Sequence, residues 1–103
     1  GDERLEADWK PIWAELDAEQ LQLAGATLLG REDLVDRLGE ISCPTLVIHG
    51  TEDAGISLDR GYLLANGVRD SRGVVEVAGA AHAPNMTHPD EVNAAIREFL
   101  QSF

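Results

Sequence analysis

Pro44-Thr-Leu-Val-Ile-His49, followed at once by Gly50-Thr-Glu-Asp53, is the stretch on which the fold turns. Its first six residues are apolar and rich in β-branched side chains, and they lie between a proline and a glycine. A strand with one wet face alternates polar and apolar residues; this run does not, which predicts a strand covered on both faces, as in a parallel sheet. Moving outward, Leu58 to Asn66 reads as a helix with Leu58, Tyr62 and Ala65 on one side and Gly67 ending it. Gly73-Val-Val-Glu-Val-Ala78 reads as a second strand with Glu76 its only charge. Pro89 to Phe103 has the strongest helical pattern. Pro89 suits the first helical position, Asp90 and Glu91 suit the positive end of the helix dipole, and Val92, Ala95, Ile96, Phe99 and Leu100 make one apolar stripe. Strand, helix, strand, helix is a βαβα unit with parallel strands and helices over the sheet. Two parallel strands alone make a poor independent structure, so the chain is expected to be the end of something larger.

Upstream of that unit, residues 2 to 39 read as helical. Glu3 to Lys10 forms one short segment, stopped or kinked before Pro11. Ile12, Trp13 and Leu16, then Leu21, Ala24 and Leu28, recur at helical spacing. Arg31 to Leu38 repeats the pattern with Leu34, Val35 and Leu38, and Gly39 is placed as its C-cap residue.

The bulk composition narrows the function. With 103 residues the chain holds one small domain, and 44% hydrophobic and 26% charged residues match an ordinary globular protein. Eight basic residues against 19 acidic ones give a formal charge of −11. Nucleic acid and anionic membrane surfaces reward clustered Lys and Arg, so neither is an expected partner. One cysteine, Cys43, allows no intrachain disulfide; a reducing, cytoplasmic setting is expected. No stretch has the length and apolarity of a membrane span or signal peptide.

Ligands of parallel α/β sheets bind beyond the carboxyl ends of the strands. Two loops meet that condition: Gly50-Thr51-Glu52-Asp53 after the first strand and Gly79-Ala80-Ala81-His82 after the second. Neighbouring parallel strands would set them side by side. A serine hydroxyl is a weak nucleophile that needs a base, and a largely neutral imidazole supplies one. A carboxylate on the other ring nitrogen fixes the tautomer and stabilises the imidazolium.

These segments resemble the α/β-hydrolase superfamily. Ile41-Ser-Cys-Pro-Thr-Leu-Val-Ile-His-Gly-Thr-Glu-Asp53 is similar to its penultimate strand and acid loop. Gly79-Ala-Ala-His-Ala-Pro-Asn-Met-Thr-His-Pro-Asp-Glu-Val92 is similar to its histidine loop and final helix, and Arg31-Glu-Asp-Leu34 resembles the helix returning from its cap domain. The order acid then histidine is the order that follows the serine in that superfamily. The resemblance implies an α/β fold, with residues 31–103 as the C-terminal βαβα part of the hydrolase core (the last two of eight strands). Residues 1–30 are then a helical tail of the cap domain. It implies Asp53 as triad acid and His82 as general base, and no cofactor. It also implies a Gly-x-Ser-x-Gly nucleophile elbow, which none of Ser42, Ser57, Ser71 and Ser102 occupies. The nucleophile is therefore expected from an N-terminal part of the hydrolase, as a second chain or another segment. The implied reaction is hydrolysis of a small carboxylic ester or lactone, the lactone suggested by the Ala80-Ala-His-Ala-Pro-Asn85 pattern. Carbon–carbon hydrolases, haloperoxidase-like and dehalogenase-like relatives share these loops. A non-catalytic fragment that only binds a partner is the competing reading.

Each of these residues has a plainer role to set beside the functional one. Asp53 on a Gly-rich loop is also a turn-former, and His82 also a loop residue. Glu52 competes for the acid role but reads as a solvated side chain. His49 ends a buried strand and reads as structural; His88 reads as a cap of the last helix. Cys43 reads as a small buried residue. The three histidines have no metal-ligand spacing. Trp13, with Trp9, Ile12 and Leu16, reads first as packing and second as a wall of a substrate pocket, and Asn85 and Met86 are candidates for the pocket mouth.

Overall fold

A computed structural model describes residues 2–103, and the chain divides into two compact units, one ending at Asp33 and the other spanning Leu34–Phe103. The first unit holds two helices, α1 (Glu3–Ala14) and α2 (Ala18–Gly30). The side chain of Asp2 starts α1 by accepting from the amides of Arg4 and Leu5, and Asp17 starts α2 by accepting from Glu19. The stop expected before Pro11 is absent: α1 runs through the proline. Proline gives no N–H to the residue four positions back. That residue, Ala7, is exposed, so its carbonyl can turn to water.

The α-helix expected over Arg31–Leu38 is not formed. Residues 31–34 have no regular structure and Val35–Glu40 is a 3₁₀ helix, with Gly39 inside it rather than capping it. Tighter i→i+3 bonding suits short connectors of this kind. Leu38 leans on the end of the next helix, where a Cβ on Gly67 would lie 2.5 Å from its Cδ1.

Strand β1 (Pro44–Gly50), helix α3 (Leu58–Gly67), strand β2 (Asp70–Val77) and helix α5 (Pro89–Gln101) form the expected βαβα unit. A four-residue helix, α4 (Pro84–Thr87), precedes α5 and was not expected. The strands are parallel, pairing Pro44 with Asp70 and Gly50 with Val77. Two steps on β1, from Thr45 to Val47, match three on β2, from Ser71 to Val74. The extra residue is a bulge containing Gly73 at φ +91, a conformation that glycine adopts without strain. Strand β2 begins three residues before the expected Gly73. Asp70 and Arg72 there look like loop residues by composition, but they pair with each other at 2.8 Å.

The core gathers Val77, Ala80 and Val92, with Ile48 packed against it; Val47, Ala65 and Val68 are also buried. In β1 only Val47 and Gly50 are fully buried. The strand is thus less covered than its apolar run predicts, because among the described residues it pairs with β2 alone. Cys43 is exposed rather than buried, since it sits at the bend before β1 and outside the sheet. His88 holds the N-cap position of α5, but its side chain does not cap; its Nδ1 meets Thr87 Oγ1 at 2.8 Å instead. No helix among the described residues is long and apolar enough to cross a membrane.

Candidate active site

Because β1 and β2 end level at Gly50 and Val77, the two loops that leave them run side by side. Three hydrogen bonds stitch them together. Thr51 N donates to Val77 O at 3.1 Å, Glu52 N to Ala80 O at 2.9 Å, and Gly79 N to Thr51 Oγ1 at 3.0 Å. The approach is so close that a Cβ on Gly50 would collide with the carbonyl oxygens of Ala80 and Ala81. Gly79 turns the second loop at φ +76.

This stitching brings together Asp53 and His82, 29 positions apart, with Oδ2 of the acid 2.9 Å from Nδ1 of the imidazole. The other oxygen, Oδ1, accepts from the amides of Gly55 and Ile56, each at 2.9 Å. The Asp53 side chain is 5% exposed whereas that of His82 is 69% exposed. The Ile56 amide first, then the His82 and Gly55 bonds, hold the Asp53 carboxyl below its ordinary range against an opposing desolvation. An ionised Asp53 keeps the shared proton on Nδ1, which leaves the Nε2 lone pair of His82 as a base. Both residues line a recess of about 300 Å³ with His49, Gly50, Ile56, Arg60 and Leu64 among its other walls.

The remaining sequence candidates are placed differently. Asn85 and Met86 lie on α4, exposed, and do not line the recess, whereas their neighbour Pro84 does. Trp13 belongs to the first unit, where it stacks on Trp9 with ring centroids 6.2 Å apart. Glu52 is exposed. Among the described residues, no three His, Cys, Asp or Glu side chains gather as a metal site.

No family model matches the chain. A protein assigned as carbamate hydrolase RutD, from Rhizobium rhizogenes, is 32% identical over 97% of this chain and 38% of its own length. A protein assigned as a non-heme chloroperoxidase, from Synechocystis, is 36% identical over 76% of this chain and 31% of its own. Among solved structures, a thermophilic esterase from Thermogutta terrifontis with malate bound superposes with a TM-score of 0.66 at 37% identity, covering 71% of this chain and 26% of the esterase. This chain belongs to the α/β-hydrolase superfamily. It corresponds to the C-terminal portion of the superfamily fold and spans 38% of the length of the first of these relatives.

Superfamily resemblance alone does not single out three residues that build the site. Gly50 admits the neighbouring loop, the Thr51 hydroxyl holds Gly79, and the His49 ring donates to Ile56 O at 2.9 Å beneath the acid loop. The glycine between a strand and an acidic loop is a signal that could have marked the first. A threonine and a strand-end histidine are too common to mark the others.

Proposed function

We propose that this chain supplies the acid and the base of a Ser-His-Asp triad, Asp53 and His82, in a hydrolase acting on small carboxylic esters or lactones. The observation that carries the reading is the 2.9 Å bond from His82 Nδ1 to an almost fully buried Asp53, with the rest of the imidazole open to approach. In this reading a serine from another chain or segment loses its proton to His82 Nε2 as it attacks the acyl carbon. The imidazolium, stabilised by Asp53, then passes that proton to the leaving oxygen. Water repeats the cycle on the acyl-enzyme. The esterase likeness favours an ester, and the carbamate hydrolase assignment of another relative points to the same acyl-transfer class. The N-terminal helices α1 and α2 are the cap-domain tail in this reading.

The test has two steps. Mass spectrometry of the purified protein looks for a companion polypeptide of about 130 to 180 residues, the size of one domain. An aryl ester assay on that assembly then compares wild type with His82→Ala. Loss of about 10⁶-fold in kcat is expected for removal of a triad base; unchanged activity overturns the assignment.

A further inference from the structure

His49 stands under the acid loop rather than merely filling the end of β1. Its side chain is 11% exposed, and Nε2 lies 2.9 Å from Ile56 O and 3.7 Å from Asp53 Oδ2. A carbonyl only accepts, so Nε2 carries the proton and donates. Ile56 is consequently held at both ends: its N–H is bound to Asp53 Oδ1 and its C=O to His49. The opposite edge of the ring abuts α3 so closely that a Cβ on Gly61 would lie 2.9 Å from Nδ1. Glu76, the register neighbour of His49 on β2, is engaged elsewhere, accepting from the Tyr62 hydroxyl at 2.7 Å. The carboxylate beside Nε2 is that of Asp53, with Oδ2 at 3.7 Å.

We propose that His49 is a positioning residue for Asp53: wedged between α3 and the loop, its Nε2–H fixes the Ile56 peptide and thereby aims the Asp53 carboxylate at His82. The inference rests on the Asp53–His82 pair being the acid and base of the reaction, but its physical content can be read without activity. The Ile56 N–H donates to Asp53 Oδ1 at 2.9 Å and favours the ionised carboxyl, so loosening Ile56 is expected to move that titration upward.

The experiment is a carboxyl carbon NMR titration of Asp53 in the full chain. His49→Leu removes the donor and is expected to shift the Asp53 midpoint upward, toward the ordinary carboxylate range. In His49→Gln the side-chain amide takes the place of Nε2–H, and the wild-type midpoint is expected to return. Gly61→Ala presses on the ring from α3 and should shift the midpoint in the same direction as His49→Leu, which keeps the test open if the leucine variant does not fold. A wild-type midpoint in His49→Leu, or in Gly61→Ala should the leucine variant not fold, overturns the proposal, as does a glutamine variant that behaves like leucine. Activity separates the two readings. In an active assembly His49→Leu should lower kcat by up to about 100-fold with KM unchanged, the scale of a misplaced catalytic group. A shifted midpoint with unchanged kcat leaves the positioning in place and sinks the catalytic role of Asp53.

Discussion

At the scale of single residues, the site depends on where one proton rests. Asp53 must be ionised for His82 to hold its proton on Nδ1, and the amides of Ile56 and Gly55 make that ionisation easier. Asp53→Asn should leave the loops in place, since an amide oxygen can still accept those two bonds. It offers His82 a neutral group that stabilises no imidazolium. The expected loss in kcat is about 10⁴-fold, as when a triad acid becomes an amide. Wild-type kinetics in Asp53→Asn would show that the pair is only a loop tie. The lowered carboxyl also fixes a sign for stability against pH. A group whose folded pKa is below its unfolded value stabilises the fold above the unfolded value, near 3.8, and that contribution is lost as pH falls through the folded one. Urea midpoints measured from pH 6 downward should therefore fall below about pH 4 in wild type. The Asp53→Asn protein should show a smaller drop, because Asp70, held down by its bond to Arg72, behaves alike and remains. Parallel curves for the two proteins would contradict the sign.

At the scale of elements, the decisive contact is the crossing of two loops over one glycine. Any side chain at position 50 would enter the space of the Ala80 and Ala81 carbonyls, and backbone yields less readily than a side-chain tip. Gly50→Ala is expected to destabilise the chain by about 1–3 kcal/mol, the usual cost of overpacking. It should also weaken the Asp53–His82 bond, by pushing the histidine loop away. Urea unfolding reads the first effect and the downfield His82 Nδ1 proton resonance the second; a variant as stable as wild type, with that resonance intact, refutes the crossing. The nearness of Asp53 and His82 is legible in the sequence because each follows an apolar run, and parallel strands that end level force their loops together. Helices α3 and α5 are legible because ten or more residues give a period room to show. Helix α4, at four residues, is too short to carry a period. The split between α1 and α2 had a local sign in Asp17 and Gln20, at capping-box spacing, that a reading by apolar period alone passes over. Asn85 and Met86 show the limit of that reading. Proximity in sequence to His82 does not say which side chains face the recess.

At the scale of the whole molecule, the second unit is a sheet edge with too little to cover it. Its fully buried apolar side chains are valines and alanines, while Ile41, Ile56, Leu63, Leu64, Ile96 and Leu100 are each at least 38% exposed. Strand β1 offers one edge to β2 and, among the described residues, the other to nothing. Open strand edges and contiguous apolar surface are features that folded proteins ordinarily cover. If the nucleophile comes from another chain or segment, the same piece should supply neighbouring strands, so that stability and activity arrive together. Anything that binds the folded state alone raises its stability in proportion to the logarithm of its concentration over Kd. The purified chain by itself should bind an apolar dye such as ANS and unfold at low denaturant. With the companion polypeptide added, dye binding should fall, the urea midpoint should rise, and ester hydrolysis should appear over the same concentration range. Three titrations with one midpoint would tie β1's free edge to His82's missing nucleophile. Dye release without hydrolysis would instead favour the partner-binding reading. A chain that alone unfolds in one sharp transition and binds no dye would show that the exposed surface is no seat for another piece.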